Sequence, residues 1–183
     1  MWRGMRNVGR GASVEVIIRE AQPSDAAQLI AYVQQLIEEP GINVELWPGE
    51  FTLTVAEEQE ILAQYALSDN SLYLVAEIQG SIAGVLICKG GTRQATRHAV
   101  TLGGMSVAQA WRRRGIGSQL LARAIEWARG TGIVTRIELS VFEPNEAAIQ
   151  LYRKFAFVVE GQRRRAVFRD GQYMDDWIMA LLL

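Results

Sequence analysis

The sequence predicts one mixed α/β domain with an antiparallel front half, and three observations carry that prediction. The chain has 183 residues with 49% apolar content, enough for one full core and too few for two. Apolar residues alternate in some stretches and recur at helical spacing in others. The two-residue pairs Gln79-Gly80 and Asp170-Gly171 stand between β-rich stretches, which is the pattern of hairpins. No internal repeat competes with this reading.

Residues 1–14, dotted with glycine and arginine, read as a flexible leader, and residues 15–183 as the domain. Val16-Ile17-Ile18-Arg19 reads as a strand. Pro23-Ser24-Asp25 then opens a helix whose Leu29, Ile30, Val33, Leu36 and Ile37 fall on one face, until Pro40-Gly41 stops it. An irregular acidic and aromatic segment follows, with Glu38, Glu39, Glu45, Trp47, Pro48 and Glu50. It leads to a second helix from about Val55 to Tyr65. Leu72 to Ile78 and Ser81 to Lys89 form the first hairpin. In the next strand, Ala99 to Val107, Val100 and Leu102 hold one alternation parity while Met105 and Val107 hold the other, with Gly103-Gly104 at the switch. That is how a β-bulge is written in sequence. A helix from about Gly115 to Arg129 buries Ile116, Leu120, Leu121, Ala124 and Ala128. Ile133 to Phe142 reads as a strand and Asn145 to Phe155 as a helix. Phe157 to Val159, Ala166 to Phe168 and Tyr173 to Leu183 read as closing strands.

Charge and cysteine content exclude several classes of function. Lysine and arginine total 19 against 20 acidic residues, which gives no electrostatic footprint for nucleic acid or an anionic membrane. No apolar run reaches the roughly 20 residues of a membrane helix, so a cytoplasmic location is expected. Cys88 lies in an apolar run and reads as a buried filler. His98, the only histidine, reads as a strand-edge surface residue, and no metal is expected.

The strongest functional signal is Arg112-Arg113-Arg114-Gly115-Ile116-Gly117-Ser118, between a strand end and a helix start. A helix N-terminus offers unpaired amides and a partial positive charge, and glycine lets an anion approach the backbone. Three arginines alone read more readily as a solvated basic turn. The strand, the Gly-x-Gly and the amphipathic helix around them favour a phosphate cradle. A dinucleotide fingerprint fails because position 120, where its third glycine belongs, is Leu120.

With that cradle after a bulged strand, and Asn145-Glu146-Ala147-Ala148-Ile149-Gln150-Leu151-Tyr152-Arg153-Lys154-Phe155-Ala156-Phe157 after the next one, the sequence resembles the GNAT family of N-acetyltransferases. Arg112, Gly115 and Gly117 match the family's coenzyme A signature. The resemblance implies a centrally splayed, mostly antiparallel sheet flanked by helices, with acetyl-CoA as co-substrate in the opening. It implies that Met105, Ser106 and Val107 pair with the pantetheine arm and that the amides of Arg112, Arg113, Arg114, Gly115, Ile116, Gly117 and Ser118 hold the pyrophosphate. Asn145 and Ala148 are placed beside the cofactor, and Tyr152 beside the sulfur as general acid. The bulge would leave an amide aimed at the thioester oxygen. Each residue also has an ordinary structural role open to it: Asn145 as a helix cap and Tyr152 as a core aromatic, while Arg163-Arg164-Arg165 reads as a solvated strand face before it reads as a contact for the adenosine phosphate or an anionic acceptor.

An alkyl amine has a pKa near 10.4, so only about one molecule in a thousand is nucleophilic at neutral pH. The expected reaction is direct attack by a primary amine of a small molecule, an amino acid or a protein N-terminus, in a ternary complex. Three sources of the general base stay open: Glu143, water relayed to bulk, and an acidic residue of segment 38–50. A homodimer is compatible with the resemblance. The competing function is a non-catalytic acyl-CoA sensor, which the presence of both Asn145 and Tyr152 disfavours.

Overall fold

The computed structural model describes residues 14–183; the expected leader falls almost wholly in residues 1–13, outside the described residues. The described chain forms β1 (Ile17–Glu20), α1 (Ala26–Ile37), α2 (Val55–Leu67), β2 (Leu72–Ile78), β3 (Ser81–Gly90), β4 (Ala99–Val107), α3 (Ile116–Gly130), β5 (Arg136–Phe142), α4 (Glu146–Lys154), β6 (Val158–Arg169) and β7 (Gln172–Leu182). The strands make one sheet in the order β1-β2-β3-β4-β5-β7-β6. Every neighbouring pair is antiparallel except β4 and β5.

Local sequence accounts for the elements. The two hairpin turns carry positive φ at both central residues, Gln79 and Gly80 in one and Asp170 and Gly171 in the other. Such turns match the twist of the strands they join. Thr54 caps α2 by accepting from the Glu57 amide, and Glu57 reaches back to the Thr54 amide at 2.8 Å. The two satisfy donors that the helix leaves unpaired. Helices cover both faces of the sheet. One core packs Leu74, Leu86, Val100, Ile137, Leu139 and Met179 against Ile116, Leu120, Leu121 and Ala124 of α3. The other packs Tyr73, Val75 and Val85 against Leu29, Tyr32 and Leu36 of α1 and Leu62 of α2.

The bulge in β4 is where the parity switch predicts it. Ile87 pairs with Gly104 and Cys88 with Leu102, leaving Gly103 as the extra residue. Val100, Leu102, Met105 and Val107 consequently all belong to the α3-side core, while Ser106 faces α1. Cys88 is fully buried, and burial pushes its thiol up to about 12. His98 is exposed immediately before β4.

Two expectations are corrected. The strand expected from Ile133 begins at Arg136, because Thr131 Oγ1 takes the amides of Ile133 and Val134 at 3.1 and 2.9 Å and holds them in a turn. The separate strands expected at Phe157 to Val159 and Ala166 to Phe168 are one continuous β6. Its register shifts twice, and Arg165 adopts a φ of 51° within the second shift. An exposed edge strand paired to a long neighbour needs no apolar alternation to persist, so the polar run Glu160–Arg165 hid it.

The feature that positions the site is the seam between β4 and β5. Only Ala99, Val100 and Thr101 pair with Arg136, Ile137 and Glu138. Beyond Thr101 the strands part, β5 continuing along β7 and β4 along β3. Among the described residues, the second half of β4 therefore has a backbone edge with no strand beside it.

Candidate active site

A cleft of about 580 Å3 opens where β4 and β5 part. Its lining brings together Met105, Ser106 and Val107 of β4; Arg112, Arg113, Gly115, Ile116, Gly117 and Ser118 of the cradle; and Asn145, Ala148 and Tyr152 of the α4 region. These residues are distributed over nearly 50 positions of sequence, and the split of the sheet is what gathers them. A smaller hollow of about 300 Å3, lined by Ala122, Ile125, Glu126, Arg129, Phe155 and Leu181, offers only aliphatic and aromatic surface with two surface charges.

The cradle is built by conformation. Gly115, the residue before α3, has φ +83°, and Arg113 has φ 60°. Left-handed residues set close together in a turn can bring successive amides to one side, as in anion-binding concavities. The amides of residues 113–118 find no backbone acceptor among the described residues; the first α3-entry bond runs from Gln119 N to Gly115 O at 3.0 Å. No side chain caps the helix either. At Gly117 an added Cβ would lie 3.2 Å from Met105 Cε, so glycine keeps this part of the cleft open.

The three arginines have three different settings. Arg113 lines the cleft. Arg114 lies with its guanidinium 4.8 Å from the Trp111 ring centre and is outside the lining. Arg112 donates from Nε to the Val107 carbonyl at 2.8 Å and forms a salt bridge with Glu39.

Tyr152 is 6% exposed, its ring packed on Phe157 and its hydroxyl 3.9 Å from Met105 Sδ. A thioether is a weak acceptor, so the phenol retains a proton to offer elsewhere. Burial pushes its pKa up to about 12, which keeps it protonated across the whole neutral range. Asn145 Oδ1 accepts from the Ala148 amide at 3.3 Å, so it caps α4 while lining the cleft. Glu143 is not part of the lining; its amide donates to the Asp175 carbonyl at 3.0 Å at the end of β5. Arg163, taken from sequence as part of a solvated face, pairs with the fully buried Asp176 and donates to Ser140 Oγ at 3.1 Å.

Other parts of the cleft come from stretches that the sequence marks without naming these residues as site residues: the irregular segment 38–50 and the surroundings of the two motifs. Gly41, Ile42, Asn43 and Val44 line it, as do Trp111, Ala147 and Leu151. Tyr32 of α1 is outside the lining, but its hydroxyl lies 2.8 Å from the Oγ of Ser106, which is part of it. Burial pushes this phenol too up to about 12. Spacing from Leu29 and Leu36 marks Tyr32 as a buried position, but its partner is 74 residues away and nothing local announces it.

A sheet that splits between two parallel strands, with a glycine-rich helix start on one side of the opening and a protonated phenol on the other, has the groups that acyl transfer from a phosphate-bearing carrier needs. Comparison with known proteins gives the family. The Acetyltransferase (GNAT) family matches residues 31–157. The L-amino acid N-acetyltransferase AaaT of Escherichia coli K12 is 31% identical over 168 residues, spanning 91% of this chain and 97% of that protein. An acetyltransferase of the GNAT family from Streptococcus pneumoniae superposes with a TM-score of 0.88 at 36% identity, covering 92% of this chain and all of that one. A putative acetyltransferase from Salmonella typhimurium, solved with its cofactor acetyl-CoA, superposes at 0.77 with 23% identity over 92% of this chain and 94% of its own. The chain belongs to the GNAT family of acetyltransferases and is an N-acetyltransferase acting on an amine.

Proposed function

We propose that the protein transfers the acetyl group of acetyl-CoA to the α-amine of an L-amino acid by direct attack in a ternary complex. The observation that carries the cofactor half is the row of amides at residues 113–118 with no backbone acceptor among the described residues, all but Arg114 belonging to residues that line the same cleft as Tyr152. The acceptor half is supported by the 31% identity to an enzyme that acetylates L-amino acids, across nearly the full length of both chains.

In this reading the pyrophosphate rests on the amides of the α3 start, with Arg113 beside it. The pantetheine arm lies along the unladdered edge of β4 at Met105, Ser106 and Val107. The acceptor nitrogen, as the free amine, attacks the thioester carbonyl. A C–N bond forms and the C–S bond breaks, and the sulfur takes a proton from Tyr152 Oη. The phenol recovers its proton from solvent, which also receives the proton lost by the amine. Glu143, outside the lining, is a poor place for that proton, so water is the favoured route. A phenol with a pKa of about 12 is a weak acid, but it is always present as the donor.

Titration calorimetry with acetyl-CoA tests the first half. Wild-type protein should bind, and Gly117→Val, whose side chain would enter the cleft beside Met105, should weaken binding at least tenfold. A panel of the twenty L-amino acids, assayed by release of free thiol, tests the second half. Failure of the folded wild type to bind acetyl-CoA would overturn the assignment.

A further inference from the structure

Residues 38–54 connect α1 to α2 without a helix or strand of their own. A connection of that length keeps one position only when something ties it. Two arginines from distant parts of the chain do so. At its start, Glu39 is salt-bridged to Arg112, whose Nε also holds the Val107 carbonyl, so one guanidinium joins the end of α1, the end of β4 and the cradle. Further along, Arg169 at the end of β6 donates from Nη1 to the carbonyls of Val44 and Leu46, at 2.8 and 3.1 Å. Its guanidinium also lies 5.3 Å from the Trp47 ring centre. The Arg169 side chain is only 11% exposed.

Between these ties lie Gly41, Ile42, Asn43 and Val44, which line the cleft. With the α3 start and the β4 edge given to the two halves of the cofactor, the wall left for the acceptor includes this strap. Neither Glu39 nor Arg169 lines the cleft, so each can affect the reaction only through what it holds. We infer that Glu39 and Arg169 are positioning residues for the acceptor amine, fixing strap 41–47 as one wall of its site, with Arg112 tying that wall to the cofactor cradle. The inference rests on the acetyl-transfer reading above. A misplacement of about 1 Å at a remote anchor can cost on the order of a hundredfold in rate, so the effect is measurable.

The test is steady-state kinetics of Arg169→Ala, Arg169→Lys and Glu39→Gln, using the best acceptor from the amino-acid panel. Thiol release from acetyl-CoA in the absence of any acceptor is measured in parallel. Arg169→Ala should raise the acceptor KM about tenfold, leave the acetyl-CoA KM within twofold, and speed acceptor-free hydrolysis several-fold as water enters a loosened wall. Arg169→Lys should recover part of the loss, since an ammonium can reach a carbonyl but lacks the planar fork and the ring contact. Glu39→Gln, nearly isosteric, should raise the acceptor KM without impairing folding, and reads the other tie if Arg169→Ala is unstable. Equal changes in both KM values, or unchanged KM values together with unchanged acceptor-free hydrolysis, would overturn the inference. Absence of acetyl-CoA binding by the wild type would instead overturn the acetyl-transfer reading. If no amino acid is acetylated, the acceptor-free rate alone decides for or against the strap.

Discussion

Tyr152 carries a definite expectation. Among the described residues its hydroxyl meets only a weak acceptor, Met105 Sδ, and its pKa is raised by burial to about 12. Tyr152→Phe should lower kcat by about a hundredfold, the lower end of what a positioned proton donor supplies, while acetyl-CoA affinity by calorimetry stays within twofold. The acid form exists below the pKa, so activity should lose this donor only as pH approaches 12. A kcat profile falling near pH 9 and assigned to Tyr152 by its disappearance in the Phe variant would contradict the structure. Residue-level legibility was uneven for a physical reason. Gly115 and Gly117 are visible because a missing Cβ at a helix start has few other uses, and Asn145 because it follows proline at another. Tyr32 is invisible because what makes it interesting is one contact with Ser106, on another element.

Elements were legible to the extent that burial imposes periodicity. The buried face of α3 is the one its spacing predicts, with Ile125 added. In α1, Tyr32 takes a buried place, while Ile30 and Val33 are only half-buried. β6 was read in pieces because its outward face is water and its register is set by β7. The end of β3 adds a constraint that no pattern signals. A Cβ on Gly90 would come within 2.3 Å of Asn70, a residue 7% exposed whose Nδ2 donates to the carbonyls of Gly91 and Arg97 at 3.0 and 3.2 Å. Gly90→Ala should therefore cost about 1–3 kcal/mol in urea unfolding, as overpacking against a hydrogen-bonded neighbour does. An unchanged midpoint would show that Asn70 can move aside.

For the molecule as a whole, the two cores and the helices over both faces make the split seam affordable, since β4 and β5 each keep a full ladder on their other side. The described residues include no helix long and apolar enough to cross a membrane. Acid stability has one traceable contributor at the sheet edge. Arg19 of β1 holds Asp25 at 2.7 and 2.9 Å and Glu77 of β2 at 2.9 Å, and its hydrogen bonds keep the Asp25 carboxyl below its ordinary 3.8. A depressed folded pKa gives stability that is full above the unfolded value and lost as pH falls through the folded one. Arg19→Met should accordingly flatten the melting temperature against pH below about pH 4, and a parallel shift of the whole curve would assign the loss to packing instead. The fold class was readable from two hairpins, one bulge and two motifs. The proposed acceptor wall was legible only as an irregular acidic and aromatic segment, because the ties that hold strap 41–47 come from partners more than 70 positions distant in sequence.

The extra residue in β4 separates two things that a strand usually specifies together. A Cβ at Gly103 would meet open space, and its φ is not in the left-handed range, so what occupies the position matters little. That the position exists matters greatly. Remove it and the outer half of the strand changes frame: Met105 and Val107 exchange faces with Gly104 and Ser106, emptying one core and crowding the other. Position 103 should therefore tolerate a change of spelling and not a loss, so the half-strand that lines the cleft is kept in place by length, and a deletion there should do what no substitution at that position does.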